Sequence, residues 1–110
     1  MQTAIFVYES TSVTIETSES NLELCKMNYE TVSLSSGSNS RTVTPGIYKI
    51  VSSQDVHVSG VASAFETVTT NNKTAVPPVP VKASQSFAPL SEQAFEAFFA
   101  VPDAKDLQSV

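Results

Sequence analysis

A chain of 110 residues has room for one small domain and an appendage. An apolar fraction of 41% argues against disorder of the whole chain, and a net charge of −5 with 15% charged residues offers no basic footprint for nucleic acid. The cations Lys26, Arg41, Lys49, Lys73, Lys82 and Lys105 stand at least eight residues apart, and no run approaches the ~20 apolar residues of a membrane-spanning helix.

Residues 1–75 read as short strands separated by polar turns. Ala4 to Tyr8 is apolar on both faces, which predicts a central strand of a sandwich or one packed against a neighbouring chain. Val13 to Thr17 alternates, with Val13 and Ile15 inward. Leu22 and Leu24 share one face of the next strand, with Glu23, Cys25 and Met27 on the other. Tyr29 to Leu34 alternates again, with Val32 and Leu34 expected inward.

Ser35 to Ser40 carries the composition of a flexible loop. A short strand over Arg41 to Thr44 follows, then the turn signal Pro45-Gly46, then the strand Ile47 to Val51. Asp55 to Gly60 and Ala64 to Thr70 complete the set. Ser and Thr, 28 residues in all, fit solvated strand faces and turns. Seven or eight strands with turn signals every 8–12 residues predict an all-β fold: a small antiparallel β-sandwich or barrel. No helix separates the strands, which excludes parallel βαβ organisation.

The pattern changes at Val76. Pro77, Pro78, Pro80 and Pro89 mark residues 76–89 as an extended Pro-rich linker, about 3.1 Å per residue where it is polyproline II, with Lys82 to Ala88 as a polar spacer. Residues 90–110 hold one short amphipathic helix, from Glu92 to about Val101, and a tail. Ser91 is its expected N-cap, Leu90 and Phe95 a hydrophobic staple, and Pro102 its stop. Phe95, Phe98 and Phe99 form an apolar stripe at i, i+3, i+4. A helix this short is marginal alone, so the stripe must be covered. Two covers stay open: its own β domain, or a neighbouring subunit.

Catalytic and metal chemistry finds little purchase. His57 sits between Val56 and Val58 on a strand and points away from the core, and nothing local joins it to Cys25, the single cysteine. One His and one Cys make no metal site, and neither a calcium-loop nor a phosphate-loop pattern occurs. Glu16, Glu19, Glu23 and Glu30 read as solvated positions rather than a catalytic acid pair. The chain is therefore expected not to be an enzyme, and to use no cofactor or small-molecule substrate. Pro77 to Pro80 contains a PxxP frame, whose simpler role is that of a spacer. The amino-terminal residues show no basic region followed by an apolar stretch, which predicts synthesis in a reducing cytoplasm without a signal peptide.

The run Ser33-Leu34-Ser35-Ser36-Gly37, then Arg41-Thr42-Val43-Thr44-Pro45-Gly46-Ile47-Tyr48-Lys49-Ile50, with short strands and a Pro-rich segment after it, resembles small accessory structural proteins of tailed bacteriophages. The resemblance spans residues 30–80 and carries over no site residue. It implies a β domain that decorates or cements a larger shell or tail, with an arm that reaches a neighbour, incorporated into a virion.

Two function classes compete. One is a structural assembly protein, a homo-oligomer or the partner of a larger structural protein. Its contact residues would be Phe6, Tyr8, Pro77, Pro78, Pro80, Phe87, Phe95, Phe98 and Phe99. The other is a small β-sandwich module that binds a carbohydrate or peptide, which would want exposed aromatics among Tyr8, Tyr29 and Tyr48. Truncation at Val76 is expected to leave a folded β domain in either case.

Overall fold

A computed structural model describes residues 1–28, 30–72, 74–87 and 91–100. Among these residues eight strands run in chain order: β1 (Gln2–Val7), β2 (Thr11–Thr17), β3 (Leu22–Lys26), β4 (Thr31–Leu34), β5 (Gly37–Val43), β6 (Gly46–Val51), β7 (His57–Gly60) and β8 (Phe65–Thr70). Two short helices follow, α1 (Val81–Ser86) and α2 (Glu92–Ala100). The strands form two antiparallel sheets: a large one in the order β4-β3-β6-β1-β8, and a small one in the order β5-β2-β7.

The two sheets close on an aliphatic core. Ile5 and Val7 of β1, Tyr48 and Ile50 of β6, and Leu22 and Leu24 of β3 meet Val13 and Ile15 of β2 and Val43 of β5. Period-two alternation puts these residues on facing surfaces, as expected for packed sheets. Tyr48 also fixes the β5–β6 turn. Its hydroxyl accepts from the Thr44 N–H at 2.9 Å and donates to the Thr44 carbonyl at 3.0 Å. At Gly60 the chain passes so close to β2 that a Cβ would sit 2.9 Å from the Ser12 carbonyl oxygen, which demands glycine there.

The other face of the large sheet carries a second cluster. Ala4 and Phe6 of β1, Cys25 of β3 and Ile47 of β6 pack with Ala83 of α1 and with Phe95, Phe98 and Phe99 of α2. The molecule therefore has three layers: small sheet, large sheet, helices. The two-sided apolar character of β1 follows from its central place, because it pairs with β6 and β8 and is covered on both faces.

Several local expectations need correction. Gly37 to Ser40, read as loop, belongs to β5, and Ser35 and Ser36 alone are left outside a strand. Asn39 is buried there, and its side-chain amide donates to the carbonyls of Ile15 at 3.2 Å and Ser35 at 2.8 Å. The ladder with β2 outweighs a turn-like composition. Val32, expected inward, is 44% exposed, because β4 lies at the sheet edge. Lys82 to Ser86, read as spacer, lies in the helix α1 that Val81 begins. Pro80 precedes it at φ −59 and ψ 146, Ala83 is its buried residue, and the Phe87 N–H closes it onto the Ala83 carbonyl at 3.0 Å. One buried alanine gives too little periodicity to announce a helix.

Candidate interaction surface

The phenylalanine helix is seated on its own sheet. Ser91 caps it as expected, its Oγ accepting the Ala94 N–H at 3.0 Å. Leu90, Val101 and Pro102 lie outside the described residues, as does Tyr29. Phe95 stacks over Phe6 with ring centres 6.3 Å apart, and Phe99 meets Phe95 at 4.9 Å and Phe98 at 4.8 Å. All three helix rings are buried, and so is Phe6.

Two polar side chains of the sheet grip the carboxyl end of α2. Lys49 Nζ donates to the Phe98 carbonyl at 2.6 Å, and Gln2 Nε2 donates to the Phe99 carbonyl at 3.0 Å. The last carbonyls of a helix have no partner within it and carry its negative end, so a cation and an amide donor are suited to them. The ammonium of Lys49 also lies 4.9 Å from the centre of the Phe98 ring. Lys49 is 1% exposed.

Cys25 lies under this helical layer, and burial pushes its thiol up from its ordinary value. The nearby Lys49 opposes that rise and Glu23 adds to it. A raised pKa keeps the thiol protonated and unreactive. His57 is exposed on β7, in the other sheet, so the sandwich core lies between the two. Among the described residues no group of three or more His, Cys, Asp or Glu is placed to hold a metal ion, and no helix is long and apolar enough to cross a membrane.

The remaining named residues gather beside β8. The Tyr8 hydroxyl donates to Glu66 Oε2 at 2.5 Å, and its ring stacks on Phe87 at 5.8 Å, nearly parallel. Lys82 Nζ stands 4.2 Å from the centre of the same ring. Burial, then the bond to Glu66 and its charge, push the Tyr8 phenol well above the usual tyrosine value, so it stays a donor. With Phe87 stacked on it and Lys82 over it, the Tyr8 ring offers little surface to a sugar. Tyr48 is buried.

Pro77 is buried and Val79 half-buried against the sandwich, while Pro78 is exposed. Of the PxxP pair, Pro77 is buried and Pro80 half-buried, whereas Pro78 and Val81 are exposed. Val76 is 38% and Val81 76% exposed. A groove of about 450 Å³ separates Pro78, Val79 and Pro80 from Glu66, Thr67 and Val68 of β8. Glu66, Thr67, Val68, Lys82 and Lys49 were not singled out from the sequence as site residues. The strand order that brings the first three beside the proline segment has no local signature. Comparison with protein-family models, with characterised proteins and with solved structures finds no match to the chain.

Proposed function

We propose that this chain is a non-enzymatic structural assembly protein that attaches to copies of itself or to a larger structural protein. In its most specific form the reading is a virion accessory protein of the decoration or cement kind, made in the cytoplasm and incorporated during assembly.

The observation that carries the reading is the ridge at residues 76–81. Val76, Pro78 and Val81 are exposed apolar groups on one short stretch, and the residues between them, Pro77 and Val79, are anchored in the sandwich. An apolar ridge held on a fixed backbone loses little entropy on docking, which favours attachment over solvation. The phenylalanine stripe is not part of this contact surface, since it is spent on the chain's own sheet.

Light scattering of the full chain tests the reading. The expected mass is a multiple of 11.7 kDa, and Val81→Asp, at an exposed position, lowers that mass without lowering the melting temperature. A mass of one chain at every concentration, unchanged by Val81→Asp, sinks self-assembly through this ridge.

A further inference from the structure

The two edges of the large sheet are protected differently. At β4 the strand is four residues long, and its Ser33 carbonyl accepts a bond from Arg41 Nη2 at 2.9 Å. Short length and an edge cation are the usual ways of blunting an edge. At the opposite edge, β8 runs six residues as Phe-Glu-Thr-Val-Thr-Thr, with no lysine and no proline. Its one charge, Glu66, accepts the Tyr8 hydroxyl.

The direction of the β8 backbone follows from its ladder. The Tyr8 N–H donates to the Ala64 carbonyl at 2.8 Å, just beyond the pair Val7 and Phe65. Opposite residues in an antiparallel pair alternate between bonded and non-bonded. Glu66 and Val68 therefore bond toward β1, and the main-chain groups of Thr67 and Thr69 point to the outer edge. Among the described residues no strand pairs there.

We propose that this edge pairs antiparallel with β8 of a second copy of the chain, joining two large sheets across a two-fold axis. This rests on the assembly reading above, names its partner as a second copy and adds a contact beside the ridge. The outward groups belong to Thr67 and Thr69, so odd-numbered residues must face odd-numbered residues. A register centred on Val68 sets each Thr67 opposite Thr69 of the second copy, for four main-chain bonds. The two Val68 residues then face each other in a non-bonded pair, where side chains approach closest.

Charge favours this register over one centred on Thr67. Each copy carries −5, so like charge at the contact opposes association. With Val68 central, the two Glu66 residues are four positions apart along the strand direction, about 14 Å, beyond a Debye length of ~8 Å. With Thr67 central they would be diagonal neighbours at about 7–8 Å. Pro78, Val79 and Pro80 line the same groove as Glu66, Thr67 and Val68, so the ridge borders this contact.

Mass by light scattering and amide hydrogen exchange on the full chain test the pairing. Thr67→Pro removes an outward N–H, the position at which an edge strand accepts proline. Thr69→Asp adds like charge to copies that each carry −5, at an exposed residue, and keeps the test alive where the proline variant fails to fold. The expected wild-type mass is twice 11.7 kDa. Each variant should weaken the dimer at least about tenfold, ~1.4 kcal/mol. The Thr67 and Thr69 amides should exchange slowly in concentrated protein and rapidly in dilute protein, while Glu66 and Val68 stay slow in both.

An oligomer whose mass ignores both variants, or whose Thr67 and Thr69 amides exchange rapidly throughout, overturns the pairing and leaves the assembly reading standing. A wild-type monomer at every concentration overturns the pairing together with self-assembly.

Discussion

The large sheet is walled on both faces, and the two walls are built by different means. Its inner wall is the small sheet, and the contact is aliphatic, with Ile5, Val7 and Ile50 against Val13, Ile15 and Val43. Its outer wall is two short helices, and the contact is largely aromatic, with Phe6 beneath Phe95, Phe98 and Phe99. The inner wall is held by strand ladders and alternation, and every position contributes a little. The outer wall concentrates its hold in three rings and in two polar grips, from Lys49 and Gln2. A wall held at few points is the easier one to remove, and its removal uncovers a buried lysine and a buried Phe6 together.

Four changes break or sharpen that contrast. The largest effect is expected from truncation after Ala75. The sequence suggested a folded remainder, but loss of the helices exposes Ala4, Phe6 and Ile47 as one apolar patch. The truncated chain should aggregate or melt far below the full chain, as read by light scattering and circular dichroism. A soluble remainder that melts cooperatively near the full chain's temperature would show that the inner wall suffices.

Next, Phe99→Ala leaves a cavity between Phe95 and Phe98 and should cost about 3–5 kcal/mol in denaturant unfolding. A cost under half of that would mean the outer wall repacks. Ser91→Ala removes the cap on the Ala94 N–H and should cost about 1 kcal/mol, spent on α2 alone. Amide exchange localises that loss: α2 amides should speed up while those of β2 do not.

The smallest effect concerns pH. The folded-state pKa of Tyr8 is raised above its ordinary value near 10, so its neutral form contributes stability below that value. The contribution is lost as pH rises past 10 toward the folded pKa. Tyr8→Phe should therefore flatten the alkaline fall in unfolding midpoint. An unchanged alkaline slope in Tyr8→Phe would assign that fall to other groups, among them Cys25, whose thiol is also shifted upward.

Much of the inner wall was legible in the sequence. Alternation with period two is a local property, and it marked Val13, Ile15, Leu22, Leu24 and Leu34 as inward before any pairing was known. The misread positions are those where a neighbour decides. Asn39 looks like a turn residue until the β2 ladder supplies the Ile15 carbonyl. Val32 has the alternation of a core position but sits on an edge strand. Lys49 is in the sequence one of six scattered cations, and α2 buries it. Among the surface residues, the prolines were visible in the sequence but their partners Glu66, Thr67 and Val68 were not.

The sequence by itself determined an antiparallel β fold, the position and cap of the phenylalanine helix, and the change of character at Val76. These rest on short-range physics: side-chain alternation, capping hydroxyls and the fixed φ of proline. Tertiary structure alone decided which wall the helix covers, which strand is left at the sheet edge, and which side of the proline segment faces out. An apolar stripe is indifferent to the identity of the surface that buries it, so its destination is set by the strand order and the shape of the assembled sheet.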